Sequence, residues 1–170
     1  MTPRRDPQRQ IAPAERAPID TQPSCAAATV ADRQHGVVAR AQLVTAGLSG
    51  SAISRWAQAG RLQRLHRGVY AFGHRQLRRE GWWTAALLAA GPGALLSHWT
   101  AALCWSLLAH SRTTIDIIPA DRSATTARGV RVHRCALHDD DRRRHEGFPV
   151  TSVARTIVDL AGEATDRQIG

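Results

Sequence analysis

HGVVARAQLVTAGLSGSAISRWAQAGRLQRLHRGVYAF, residues 35–72, decides the fold. It reads as two short helices joined by a tight turn and followed by a basic β-hairpin. The first helix is expected from Ala39 to Ala46, ended by Gly47, since glycine takes the left-handed conformation common just past a helix C-terminus. Ala39 stands where a capping hydroxyl is usual, a loss of about 1 kcal/mol. Leu48 is expected to be buried in the turn, and Ser49 to cap a second helix that runs through Ala59 and stops at Gly60. Ile53, Trp56 and Ala57 share one face of it by their i, i+3, i+4 spacing and should lie on the preceding helices. Ser51, Ser54, Arg55 and Gln58 make the other face. Short polar arms near the N-terminus with an arginine behind them suit a helix entering the major groove, although any solvated helix also has a polar side.

The next segment tips that balance. Arg61 to Tyr70 (RLQRLHRGVY) carries Leu62 and Leu65 among polar residues, turns at Arg67-Gly68, and continues as Val69, Tyr70, Ala71 and Phe72. Arg61, Arg64, His66 and Arg67 are expected along the rim of this wing, against phosphates, with Arg40 on the preceding helix beside them. Charge agrees. From Arg33 to Arg79 there are nine arginines and no Asp or Glu, whereas the chain as a whole has 23 basic and 14 acidic residues and a formal charge of +9. The excess is therefore local, as in a nucleic-acid binder.

Around this core the expectation is an α+β chain, an N-terminal winged helix-turn-helix followed by a small α+β domain. Residues 1–24, rich in Pro, Arg and Gln, are expected to be a disordered tail. Residues 25–78 would form the DNA-binding domain, beginning with a helix from Cys25 to His35, and residues 79–170 the α+β domain. In the latter, Glu80 to Ala90 is expected as a helix with Trp83, Ala86, Leu87 and Ala90 on one face. Ser97 should cap a helix from His98 to Leu108. Thr113 to Ile118 and Gly129 to Arg134 look like strands joined by ADRSATTAR. Phe148 to Ser152 should lead into a helix from Val153 to Ala161, with another beginning at Thr165.

Catalysis is not expected. His98 with Ser97, or Cys104 with His110, lacks the glycine-rich elbow or orienting acid of a nucleophilic site. Gly91-Pro92-Gly93 is followed by no Gly-Lys-Ser/Thr and is no phosphate loop. His133, Cys135 and His138 form H-x-C-x-x-H beside Asp139, Asp140 and Asp141, but no fourth ligand follows at a finger-like spacing, so neither metal nor cofactor is expected. Cys25, Cys104 and Cys135 are odd in number and far apart, which describes no disulfide framework. With no apolar run of spanning length and no secretory h-region, the expected setting is the cytoplasm, away from membranes.

GVVARAQLVTAGLSGSAISRWAQAGRLQRLHRGVYAFG (36–73), REGWWTAALLAAGPGALLSHWTAALCWSLL (79–108) and GFPVTSVARTIVDLA (147–161) together resemble the AbiE-type antitoxin family in its actinobacterial form. The pair LxRLHRGVYA and GPGAxLSH carries most of that resemblance. It implies a bacterial repressor of its own promoter, the antitoxin of a type IV toxin–antitoxin pair. The toxin would be nucleotidyltransferase-like and countered without a stable complex. Relatives of this form often continue into an endonuclease-like domain, so the α+β domain is expected to be truncated at its C-terminus. Two other readings stay open: the targeting fragment of an endonuclease-like protein lacking its catalytic domain, and a toxin- or partner-binding interaction module. A homodimer is expected if two half-sites are read.

Overall fold

The computed structural model describes residues 21–73, 76–109, 113–121 and 127–169. Two sheets and six helices make up the fold. α1 (Thr21–Arg33), α2 (Arg40–Thr45) and α3 (Gly50–Gln58) stack on a sheet formed by β1 (Val37–Ala39), β2 (Leu62–His66) and β3 (Val69–Phe72). The order is β1-β3-β2, antiparallel throughout, with Val38 opposite Tyr70 and Leu62 opposite Phe72. Ala27, Ala31, Val38, Leu43, Leu48, Ile53 and Leu62 fill the space between helices and sheet. The small residues of α1 let α2 and the sheet approach it closely.

α1 starts four residues before the expected Cys25, so residues 21–24 are helical; the remainder of the expected tail lies outside the described residues. Ala39 was expected to open the first helix, yet with Val37 and Val38 it forms the third strand of the wing sheet, and α2 starts at Arg40. Three residues are too few for a periodic signal. The cap expected to be missing at Ala39 is partly replaced: Ala39 N donates to Gln42 Oε1 at 2.8 Å, and Gln42 Nε2 donates to Gln34 Oε1 at 3.1 Å.

α4 (Arg79–Ala90) joins the two halves because both of its sides are apolar. Trp83, Ala86, Leu87 and Ala90 enter the core of the second sheet, as expected. Ala85, Leu88 and Ala89 pack on Val37, Leu65 and Val69 at the back of the wing sheet, which single-face periodicity did not reveal. The second sheet has the order β6-β5-β4-β8-β7, built from β4 (Leu95–Leu96), β5 (Ile115–Ile118), β6 (Val130–Val132), β7 (Arg142–His145) and β8 (Phe148–Thr151). β5 and β6 are parallel and β7 and β8 form a hairpin, turning at Glu146-Gly147 with positive φ at both residues. α5 (His98–Cys104) and α6 (Val153–Ile169) pack on each other beside this sheet.

Several expectations here are corrected. Phe148 to Thr151 is an inner strand rather than an approach to a helix, with Phe148, Val150 and Thr151 buried. β7, RRRH, is an edge strand whose charged side chains hide any alternation. α5 ends at Cys104, four residues early, and Ser97 occupies its N-cap position without a capping bond from its hydroxyl. α6 continues past Ala161 as one helix rather than two. The expected ADRSATTAR connection falls partly outside the described residues. Among the described residues no helix is long and apolar enough to cross a membrane.

Candidate nucleic-acid interface

The turn into α3 is set by three residues. Gly47 takes φ 95°, Leu48 is buried, and Ser49 Oγ accepts from Ala52 N at 3.2 Å. Ile53 then locks the helix by its inner face, 1% exposed against Leu43 and Leu62. Ser51, Ser54, Arg55 and Gln58 are all exposed on the outer face. Ser54 Oγ donates to Gly50 O at 3.1 Å, and Ser49 and Ser51 share a hydroxyl bond at 3.0 Å, so the hydroxyls are held in place while each keeps further hydrogen-bonding capacity. The longer arms of Arg55 and Gln58 reach beyond them.

β2 and β3 turn at Arg67-Gly68, where Gly68 takes φ 72°. Arg40 ties this turn to the helix pair. Its backbone N–H donates to Gly68 O at 2.7 Å, and its guanidinium lies so close to the first residue of α3 that a Cβ added at Gly50 would meet Nη2 at 3.1 Å. Arg64 and Arg67 are exposed on the wing. Among the described residues no carboxylate pairs with Arg40, Arg55, Arg64 or Arg67, so the positive charge on this side is unopposed.

Two of the expected wing residues lie elsewhere. His66 is only 9% exposed, and a register shift between Arg64 and His66 turns it toward α4, where its Nε2 has no partner and burial pushes its pKa below the ordinary imidazole value. A β-bulge re-aims a side chain in a way strict alternation does not anticipate. Arg61 precedes β2, and its guanidinium lies 4.3 Å from the ring centroid of Trp56, with Nη2 donating to Ser24 Oγ at 3.3 Å. It clamps the end of α3 to α1.

A second polar group went unseen in the sequence. His98, Asp116, His133, Asp159 and Glu163 come together from four separate segments, while the Cys135 and His138 of the H-x-C-x-x-H motif are exposed. Only the third dimension joins them.

Residues 26–73 match a family model described as transcriptional regulator, AbiEi antitoxin. Among solved structures, the crystal structure of the RV2827C protein from Mycobacterium tuberculosis is similar at a TM-score of 0.42 and 20% identity, over 71% of this chain and 47% of that one. The chain thus spans about half the length of that protein. No curated protein sequence matches it.

Proposed function

We propose that this chain, whose residues 26–73 belong to the AbiEi antitoxin family of transcriptional regulators, binds the double-stranded DNA of its own promoter and represses transcription from it. The observation that carries this reading is the outer face of α3, exposed and polar, standing beside the unopposed Arg40, Arg64 and Arg67. Ser51, Ser54, Arg55 and Gln58 read base edges in the major groove, with Ser49 at the helix entry. Arg40, Arg64 and Arg67 hold phosphates and set the register of the protein on the duplex. Arg61 contributes through the position of α3, and His66 is too deeply buried to contribute directly.

The family description supports an antitoxin role. In our reading the cognate toxin is nucleotidyltransferase-like and is countered without a stable complex, as the sequence resemblance implies. A homodimer would place two α3 helices about 34 Å apart on successive major grooves. Val153, Ile157 and Val158, exposed on α6 by 37%, 54% and 64%, offer an apolar surface for it.

The test is a fluorescence-anisotropy titration against the chain's own upstream promoter and a scrambled duplex at two salt concentrations. Preference for the promoter that survives the higher salt is the expected result. Equal binding to both duplexes, erased by salt, would reduce the interface to a basic surface.

A further inference from the structure

Five side chains far apart in sequence meet beside the larger sheet. His98 opens α5, Asp116 stands on β5, His133 follows β6, and Asp159 and Glu163 lie one turn apart on α6. Parallel pairing of β5 with β6 and packing of α6 on α5 bring them together. They are largely out of water: Asp116 is 1% exposed, and His98 and Asp159 are each 8% exposed. Three of their atoms, His98 Nδ1, Asp116 Oδ2 and Asp159 Oδ2, have no hydrogen-bond partner. Buried polar atoms in folded proteins are normally satisfied, and His98 Nδ1 and Asp159 Oδ2 are electron-pair donors that a bound cation would satisfy together. His98 also holds a left-handed φ of 48°, an uncommon conformation for a residue with a Cβ, and its ring stacks on His133 with centroids 3.5 Å apart.

Charge narrows the ligand. Arg155 Nε donates to Asp159 Oδ1 at 2.7 Å; Arg131 Nη1 donates to Glu163 Oε1 at 3.2 Å, and its Nε lies 3.8 Å from Asp116 Oδ1. Trp99 Nε1 donates to Glu163 Oε2 at 2.7 Å. The three carboxylates share the guanidiniums of Arg131 and Arg155, with Arg134 at the same cavity, and their oxygens are the acceptors a cation would meet.

We propose that His98, His133 and Glu163, with Asp159 beside them, bind a divalent transition-metal ion of zinc's class. One donor atom from each of the first three lies within 4.8 Å of the other two. Ligand atoms on a tetrahedral zinc, about 2.0–2.1 Å from the metal, stand roughly 3.4 Å apart, so side-chain shifts of about an ångström close the set. Asp159 Oδ2 is 3.7 Å from His98 Nδ1, too long for a hydrogen bond but near the separation of two ligands on one ion. His133 Nε2 lies 2.9 Å from Asp116 Oδ1, the carboxylate–histidine pairing that orients a ligating ring and leaves Nδ1 for the metal. Because the two rings are 16° from parallel, binding through both turns at least one of them. Two imidazoles with carboxylate oxygen suit zinc, cobalt or iron(II) rather than calcium or magnesium. A cavity of about 320 Å³, lined also by Arg134, Cys135 and Gly162, gives the ion its way in.

The full chain, freed of any affinity tag, is titrated with Zn²⁺ in competition with a chromophoric chelator, and with Co²⁺ followed by visible absorption. The expected result is one ion per chain, with tetrahedral Co²⁺ bands that Zn²⁺ displaces. His133→Ala and Glu163→Gln each weaken Zn²⁺ binding by about 100-fold or more, and Asp116→Asn by about 10–100-fold. His138→Ala and Cys135→Ser bind as the parent does. Circular dichroism verifies that each variant is folded. Should one fail to fold, the parent chain decides: its melting temperature rises with Zn²⁺, returns with chelator, and does not respond to Mg²⁺. Absence of saturable binding, or binding that survives both His133→Ala and Glu163→Gln, would overturn the proposal.

Discussion

Replacing Arg67 by alanine removes one exposed guanidinium from the wing turn, whose backbone stays anchored by the 2.7 Å bond from Arg40 N to Gly68 O. The scaffold should survive, so the change isolates the single phosphate contact proposed for Arg67. Each such contact contributes about 0.9 to the slope of log K against log salt. Between about 50 and 200 mM salt, a span of roughly 0.6 log units, one contact is therefore worth about 3.5-fold in affinity. Arg67→Ala is expected to flatten the slope by about 0.9 on promoter and scrambled duplex alike, with its deficit shrinking about 3.5-fold from the lower salt to the higher. Arg55→Ala differs in kind. Losing one base contact costs about 1–3 kcal/mol, roughly 5- to 150-fold, on the promoter and leaves scrambled DNA nearly untouched. His66→Gln, changed at a buried position, should leave the slope alone. Anisotropy titrations of the three variants at four salt concentrations measure all of this. An unaltered slope in Arg67→Ala, or equal losses on both duplexes in Arg55→Ala, would refute the division between positioning and reading residues.

Three further expectations concern the scaffold. Ser49→Ala removes the acceptor for Ala52 N and should lower stability by about 1 kcal/mol in urea denaturation, whereas Ser49→Gly should cost only a few tenths. Gly81→Ala should destabilise by about 1–3 kcal/mol in the same assay, despite a helix-propensity gain of about 1 kcal/mol, because the added Cβ would lie 2.9 Å from His35 O; a more stable variant would show that this packing can give way. His66 is held by burial below its ordinary value near about 6.5, so its stabilising neutral state is fully present above that pH and is lost as pH falls toward the folded pKa. Denaturation at about pH 7.5, 6.5 and 5.5 should show stability falling on acidification, less steeply in His66→Gln. The lowered pKa of His98 acts with the same sign and accounts for part of what remains.

Much of the first half was legible because its signals are local. The glycine after α2, the serine before α3 and the i, i+3, i+4 face of α3 are all settled within a few residues, and the structure agrees with each. The outward side of α3 followed from the inward one. The wing was half legible: Arg64 and Arg67 are exposed as expected, but the bulge that rotates His66 inward depends on how β2 packs against α4. Arg61 looked like a free charge because nothing in the sequence brings Trp56 and Ser24 to it.

The second half resisted for a different reason. β4 has two residues and β7 is a run of arginines ending in histidine, and both are strands only because a neighbour supplies their hydrogen bonds. H-x-C-x-x-H was the one local pattern there that suggested a metal, and the structure leaves its Cys135 and His138 exposed. His133 meets His98, Asp116 and Glu163 through strand pairing and helix packing instead.

The sequence by itself therefore determined the helix-turn-helix, the polar face of α3 and the local excess of positive charge, because propensity, capping and charge act between near neighbours. Only the tertiary structure decided which basic residues of the wing face solvent, how α4 fastens the wing to the second sheet, and which histidines and carboxylates share one buried site. Those outcomes depend on contacts between segments far apart in the chain, where burial and strand register set a side chain's surroundings and residue type does not.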